Sequence, residues 1–288
     1  MSFIESIKKT GTTLNLYKLN QEILKQQIHN TTLFSNGKNI SFIDLETTGL
    51  NLEEDKIIEI AIKTVKIDET EGNIMSFDDQ YESFQDPGVD LEEKITLITG
   101  ITDNMVRGQN IDWEQVSDIV QNADILIAHN ARFDRSFMDR YLPLSKDKIW
   151  ACSVSDIDWL HRGFTKGSLE LLSIWHGFYY ESHRAMNDVD ALIHLLTHPS
   201  YKGNKPVIEL IKNSQIPYYE VIASNSPYET KDILRSRHYR WNGERKYWWK
   251  RINKDEIDQE RSWLTDNVYK GYFKGIVEEV LIQDKYKK

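Results

Sequence analysis

The chain has 288 residues, of which 40% are hydrophobic and 28% are charged, a balance typical of soluble globular proteins. It contains no long uncharged apolar run and begins without an apolar leader, so we expect neither a transmembrane helix nor a secretory signal. Cys152 is the only cysteine, which excludes a disulfide framework and a cysteine-based zinc site. A reducing cytoplasm is the expected compartment.

The net charge of -9 is unevenly distributed along the chain. Residues 201–288 carry 18 Lys and Arg against 13 Asp and Glu, whereas the other 200 residues carry 18 against 32. An acidic body followed by a basic tail predicts two domains with different tasks. The acidic body argues against broad electrostatic capture of nucleic acid by that part alone, but it is compatible with a metal site.

The order of the predicted elements indicates an α/β domain. Residues 1–38 are polar with scattered leucines, and we expect a helical N-terminal extension. Three strands then follow with short connections, which predicts an antiparallel meander: "NISFIDLE", "KIIEIAIKTVKI" and "IMSFDDQYESF". Beyond them, helices alternate with the short apolar strands "DILIAH" and "KIWACSV". This order predicts a mixed five-stranded sheet flanked by helices.

The domain boundaries follow from the same pattern. The sheet and its helices occupy residues 39–200, and we expect a linker over residues 201–214. Residues 215–288 are predicted to form a small α+β domain that is basic and rich in aromatic side chains.

The first chemical signal is the pair of acids in "FIDLETTG". Positions i and i+2 of a strand face the same side, so Asp44 and Glu46 project together from an otherwise apolar strand. Two like charges in a dry setting favour a divalent cation between them, and carboxylate oxygens suit magnesium or manganese. The alternative is that the strand ends here and both acids reach water.

A second acid lies on the apolar side of a predicted helix. In "NARFDRSFMDRYL", Asp134 is aligned with Phe137, Met138 and Tyr141 at helical spacing. Burial of an unpaired carboxylate is costly, so Asp134 either joins a buried salt bridge or faces a cation. Arg132 and Arg135 lie off this stripe and do not supply a local partner.

The third signal is "HRAMND", at the start of a predicted helix that continues through residue 196. His183 and Asp188 would be about 140° apart on an ideal helix, so they cannot share one helical face. We therefore expect His183 in the preceding loop and Asp188 in the first, inward-facing turn. Asp188 could instead cap the helix, and His183 could have a core or surface role.

Taken together, the three segments resemble the motifs of the DEDDh exonuclease family. "DLETTG", "HNARFD" and "HRAMND" occur in the family's order, and "ITGITDNMV" (Ile98–Val106) resembles the segment between the first two. This family includes the proofreading epsilon subunit of bacterial DNA polymerase III, RNase T and oligoribonuclease. The resemblance covers residues 39–197 and implies a ribonuclease H-like fold.

The resemblance also implies the activity and its residues. A two-metal 3′→5′ exonuclease would bind two Mg2+ or Mn2+ ions through Asp44, Glu46, Asp134 and Asp188, with His183 as the general base. By the same resemblance, five neighbouring side chains are expected to contact the terminal nucleotide: Thr47, Leu50, His129, Asn130 and Phe133. For Phe133, ordinary packing is the alternative.

The basic tail carries a separate signal in "KDILRSRHYRWNGERKYWWKR". Cations interleaved with aromatic rings are typical of surfaces that bind single-stranded nucleic acid. The candidate contacts are Arg237, Arg240, Trp241, Arg245 and Trp248. The alternative is that the tryptophans form the core of a small domain and the arginines are merely solvated.

The sequence thus predicts a metal-dependent 3′→5′ exonuclease that releases nucleoside monophosphates from single-stranded 3′ ends, with DNA favoured over RNA. An RNA-trimming exoribonuclease and a polymerase-accessory subunit that binds nucleic acid are the alternatives. No membrane association is expected, and no motif supports a polymerase or other replication partner.

Overall fold

The computed structural model describes residues 8–10, 13–28, 37–243 and 245–287. The chain divides into two compact units. The N-terminal unit comprises residues 1–215 with residues 286–288, and the C-terminal unit comprises residues 216–285.

The N-terminal extension contains more strand than helix, in contrast to the prediction. Its described residues form three short strands and one five-residue helix: β1 (Lys8–Thr10), β2 (Thr13–Asn15), β3 (Tyr17–Lys18) and α1 (Gln21–Lys25). Strand β3 pairs in parallel with Phe178–Tyr179, and the side chain of Asn20 caps α1 by accepting a bond from the Ile23 N–H (3.0 Å). Pairing with a distant strand overrides the local helical pattern here.

The central sheet has the predicted five strands in mixed directions. Within the described residues it contains five strands in the order β6-β5-β4-β7-β8. Their bounds are β4 (Gly37–Thr47), β5 (Ile57–Asp68), β6 (Ile74–Phe84), β7 (Ile125–Ala128) and β8 (Trp150–Cys152). The first three are antiparallel, whereas β7 and β8 run parallel to β4. This mixed sheet confirms the ribonuclease H-like α/β fold.

Helices cover both faces of this sheet. They are α2 (Glu93–Thr99), α3 (Asp103–Val106), α4 (Trp113–Asn122), α5 (Ala131–Tyr141), α6 (Leu169–Trp175), α7 (Ala185–Leu196) and α8 (Pro206–Ser214), with strand β9 (Phe178–Tyr179) between α6 and α7. Side chains alternate along β4, so Phe42 packs in the cluster that includes α7, whereas Ile43 packs in the cluster that includes α4 and α5. Helix α7 is therefore apolar on several sides and nearly fully buried.

The predicted linker over residues 201–214 is wrong for its second part. Residues 206–214 form α8, in which Pro206 occupies the first turn. Val207, Leu210 and Ile211 are buried in the main core. The spacing of these three residues is that of an amphipathic helix, and their burial ties α8 to the N-terminal unit.

The C-terminal unit is a small α+β fold, as predicted. Its elements are β10 (Tyr218–Ala223), α9 (Lys231–Ser236), β11 (Arg240–Asn242), β12 (Tyr247–Ile252), α10 (Ile257–Leu264) and β13 (Ile276–Val280). The strands form an antiparallel sheet in the order β11-β12-β10-β13. Val221 and Ala223 pack against Leu234 of α9 and Leu264 of α10 in a core separate from the first.

Over the described ranges, we find no helix that combines the length and the apolar character needed to cross a lipid bilayer.

Three histidines are buried together beside α7. The Tyr17 hydroxyl lies 2.7 Å from His194 Nε2 and 3.1 Å from His198 Nε2, and His176 Nε2 lies 2.5 Å from the Tyr201 hydroxyl. Burial lowers the pKa of His176 to about 4, of His194 to about 3 and of His198 to about 2. All three are therefore neutral at physiological pH.

This cluster predicts acid sensitivity. The unfolded chain binds protons at these histidines near pH 6.5, whereas the folded chain excludes them, so their contribution to stability is present above about pH 6.5 and is lost as the pH falls. Each histidine should cost about 1 kcal/mol of unfolding free energy near pH 5.5. Urea unfolding should show a shallower acid loss for His194→Gln than for the unmodified chain or for the exposed-residue control His161→Gln. Equal pH dependence in all three would contradict this account.

Candidate active site

Three carboxylates meet at the end of β4. Asp44 and Glu46 occupy alternate positions of the strand, and Asp188 lies in the first turn of α7. Each of the three offers an oxygen that lies within 4.8 Å of the others. The structure thus brings together acids that are separated by more than 140 positions in the sequence, and carboxylates at this spacing can share a divalent cation.

Asp188 is held in place by neighbours on both oxygens. The Tyr180 hydroxyl donates to Oδ1 (2.9 Å), and the Arg184 backbone N–H donates to Oδ2 (3.2 Å). The second bond satisfies a backbone group at the start of α7, so Asp188 also stabilises the helix terminus. The two interpretations of this residue, helix capping and membership of an acidic site, are therefore compatible.

Asp134 lies behind the three carboxylates. It is only 3% exposed and accepts a hydrogen bond from the Leu45 backbone N–H. Its burial raises its pKa to about 7, and its charge in turn raises the pKa of Asp44 and Glu46. The neighbouring Arg135 is committed to Asp139 (3.2 Å), so it does not neutralise Asp134.

Burial is the largest cause of the raised pKa values in the site, and like charges add to it for Asp44, Glu46 and Asp134. Burial, followed by the charges of Asp134 and Asp188, raises the pKa of Asp44 well above its ordinary value. Burial and the same neighbours, with Glu59, raise the pKa of Glu46 to about 8, and burial raises that of Asp188 to about 6. A divalent cation would remove this repulsion, so the residues present fit a metal site.

His183 lies in the loop before α7, as predicted. Its side chain is exposed, and its backbone has a φ of 62°, in the left-handed region that non-glycine residues rarely adopt. Its backbone N–H donates to the Asp188 carboxylate and helps to lower the pKa of that acid, so the residue lies beside the acidic cluster. The loop thus presents a histidine to the site without burying it.

Glu59 and Arg184 lie beside the acidic cluster, although the sequence analysis assigns a role to neither. Glu59 is fully buried on β5, directly opposite Glu46. Its carboxylate accepts from Arg184 (2.8 Å) and from the Ala185 backbone N–H (3.0 Å). It therefore fixes the start of α7, and the Arg184 charge lowers the pKa of Glu46. The available signal was a lone acid within the apolar strand "KIIEIAIKTVKI".

Two of the expected nucleotide contacts lie at the end of β4 and in the loop after it, where Thr47 is the last, buried residue of the strand. The Thr47 hydroxyl donates to the Gly49 carbonyl (2.6 Å), and Leu50 is 80% exposed. Asp55 holds the loop by accepting from the Thr48 hydroxyl (2.8 Å) and the Asn51 backbone N–H (2.7 Å). Leu50 is thus an apolar side chain presented to solvent on a braced loop.

The other expected contacts lie at the start of α5. His129 shares a hydrogen bond with the Ser153 hydroxyl (2.7 Å), and burial lowers its pKa to about 4. Asn130 is exposed at the helix N-terminus, where its side chain makes no cap bond. Phe133 is half-buried and packs 5.1 Å from Phe137, so part of its role is structural.

A sequence profile of the RNase T-type exonuclease family matches residues 41–196, more than half of the chain. The chain belongs to this exonuclease family. The matched region contains Asp44, Glu46, Asp134, His183 and Asp188, and with the three motifs it assigns this region to the DEDDh-type 3′→5′ exonucleases.

The similar curated proteins include PolC-type DNA polymerase III. This chain is 34% identical over 194 residues to the PolC-type DNA polymerase III of Clostridium perfringens. The match covers 62% of this chain and 13% of the polymerase. For Pediococcus pentosaceus the identity is 41% over 106 residues, covering 36% and 7%. The chain therefore spans only a small part of the length of these relatives.

Similar solved structures include two exonucleases with bound DNA. Exonuclease X in complex with 5′ overhanging duplex DNA is 24% identical and has a TM-score of 0.42, covering 59% of this chain and 99% of that one. E. coli exonuclease I in complex with a dA13 oligonucleotide is 17% identical with a TM-score of 0.47, covering 64% and 47%.

The charge crowding predicts how stability responds to metal. Because these pKa values are raised, the metal-free folded chain keeps protons on carboxyls that lose them near pH 4 in the unfolded chain. The folding stability that these protons contribute is lost as the pH rises through about 6 to 8. Mg2+ should therefore raise the melting temperature more at pH 8 than at pH 6, where protons compete with it. In EDTA at pH 8, Asp44→Asn should melt higher than the unmodified exonuclease, and Mg2+ should stabilise it less. A thermal shift that is independent of both pH and Asp44 would refute this expectation.

Glu59 provides a second test. Glu59→Gln keeps the shape of the side chain but removes the charge that holds Arg184, so Mn2+ affinity should fall about 10- to 100-fold, as measured by titration calorimetry. The control is Glu93→Gln, an exposed acid at the start of α2. Adding Arg184→Met to Glu59→Gln should recover part of the loss, because the guanidinium is then no longer left unpaired. Unchanged Mn2+ affinity in Glu59→Gln would show that the pair does not position the site.

Proposed function

We propose that this protein hydrolyses the 3′-terminal phosphodiester bond of single-stranded DNA and releases nucleoside monophosphates. The observation that carries the proposal is the meeting of Asp44, Glu46 and Asp188 within 4.8 Å, with Asp134 buried behind them. Acids at this density, combined with an exposed histidine, suit two-metal phosphodiester hydrolysis.

The four carboxylates would hold two divalent cations, Mg2+ or Mn2+. Asp44, Glu46 and Asp188 supply the grouped oxygens, and Asp134 adds negative charge from the side of α5. When bound, the cations would activate water and stabilise the charge that develops on the phosphate and the leaving oxygen. The carboxylates would orient the cations, and the bound charge would relieve their mutual repulsion.

His183 would act as the general base. Its ring is solvent-exposed beside Asp188, so it can take a proton from the attacking water and pass it to solvent. The Asp188 carboxylate would stabilise the resulting imidazolium. Arg184 directly follows His183 in the chain, and its ion pair with Glu59 anchors the end of the loop that carries His183.

The 3′-terminal nucleotide would contact the loop after β4. Exposed Leu50 offers an apolar edge for the base, and Thr47, His129 and Asn130 offer polar groups for the sugar and phosphate. DNA is the favoured substrate because the similar curated proteins are DNA polymerases. The buried, free thiol of Cys152 is compatible with the cytoplasmic location that we propose.

This proposal predicts that digestion proceeds from the 3′ end and needs the site residues. With 5′-labelled oligonucleotides and Mg2+, single-stranded DNA should give a ladder of shortening products, faster than duplex DNA or RNA, and EDTA should stop the reaction. Asp44→Ala should abolish activity, and His183→Ala should reduce it about 10²- to 10⁴-fold, the usual contribution of a general base.

The controls separate chemistry from folding. His161→Ala removes another exposed histidine and should leave the rate unchanged. Circular dichroism should show that Asp44→Ala and His183→Ala remain folded. The proposal fails if either variant keeps full activity, or if products shorten from the 5′ end. Faster digestion of RNA than of DNA would favour the exoribonuclease alternative.

A further inference from the structure

The hairpin of β11 and β12 concentrates positive charge in a C-terminal unit that is otherwise nearly balanced. Residues 216–285 contain 13 Lys and Arg against 12 Asp and Glu. Within residues 237–251, however, six cations face a single acid, Glu244. The basic character of the unit is therefore a local property of this hairpin.

Some of these cations serve the unit's own structure. Arg237 and Lys250 both bind buried Glu260, at 3.2 Å and 3.1 Å, and Arg237 also lies 5.0 Å from the Trp263 ring. Arg251 lies 4.1 Å from the Tyr218 ring. These three side chains are engaged in contacts within the C-terminal unit, so they are poor candidates for ligand contacts.

Two further cations flank an exposed tryptophan. Arg240 and Lys246 are exposed, and Trp241 on the edge strand β11 is 51% exposed. Arg240 also lies 6.0 Å from the Trp249 ring, on the face of the strand opposite Trp241. Trp248 lies 5.5 Å from Trp241 and packs on the core of the unit. The Trp241 ring thus faces solvent and is supported from below by Trp248.

We propose that this hairpin binds single-stranded DNA, with one base stacked on Trp241 and phosphates contacted by Arg240 and Lys246. Exposure of a large aromatic ring is costly in water and is expected where a ligand covers it. Bases offer a flat π-face to such a ring, and flanking cations match the phosphate charge. The surrounding cations favour a polyanion over an apolar protein surface. The hairpin belongs to the C-terminal unit and would bind DNA without hydrolysing it.

Binding can be measured on the full chain without catalysis. In EDTA, fluorescence anisotropy of fluorescein-labelled dT20 should show that Trp241→Ala weakens binding about 5- to 100-fold, whereas Trp241→Phe retains most of the affinity. Arg240→Ala combined with Lys246→Ala should reduce the slope of log affinity against log salt by about 1.4, the value for two lost phosphate contacts.

Matched controls lie in the same unit. Tyr272→Ala removes a ring that is 70% exposed, and Arg235→Ala removes an exposed cation on α9; neither should alter dT20 binding. Wild-type affinity in Trp241→Ala would overturn the proposal, as would an equal loss in Tyr272→Ala. The assay contains EDTA and therefore measures binding without hydrolysis. If dT20 binding depends on Trp241 but the protein shows no nuclease activity with Mg2+, only the proposed function is overturned.

Discussion

The geometry of the acidic site depends on the buried polar contacts between β5 and α7. Glu59 and Lys63 lie four positions apart on one face of β5, and both reach α7. Glu59 binds Arg184 and the Ala185 N–H at the start of the helix, and Lys63 forms an ion pair with Asp190 one turn later. Asp188 lies between these two anchors. The apolar stripe alone would allow α7 to slide or rotate, whereas two directional contacts fix its register.

The same arrangement concentrates negative charge where the fold can least disperse it. Glu46 is opposite Glu59 across two strands, a like-charge pair that sheets ordinarily avoid. Arg184 compensates Glu59, whereas burial and like charges raise the pKa of Asp44 and Asp134. Two apolar clusters on either side of the sheet supply the stability that this crowding reduces. Destabilisation confined to a cluster of acids is expected where metal binding is the function.

Much of this site could be predicted from the sequence because its signals are periodic. The i, i+2 spacing of Asp44 and Glu46 and the helical alignment of Asp134 depend only on local geometry, and the structure agrees with both. The position of His183 before the helix also followed from its spacing to Asp188. The roles of these residues as ligands and base remain a proposal.

Other features required long-range contacts that no local pattern contains. Glu59 looked like one acid in a buried strand, and only pairing with β4 and α7 shows its partners. In the N-terminal extension, β3 forms because Tyr17 pairs with Phe178, far along the chain. The sequence predicts a linker that includes residues 206–214, whereas burial of Leu210 makes them part of the core. In the tail, composition could not separate structural cations such as Arg237 from exposed ones such as Arg240.

The central claim is that Asp44, Glu46, Asp134 and Asp188 form one acidic site for two divalent cations. The most direct test is an anomalous difference map from a crystal grown with Mn2+. We predict two manganese peaks among these carboxylates, with Asp44, Glu46 and Asp188 in direct contact. A map without manganese at this position, or with the ions bound only elsewhere on the chain, would contradict the account.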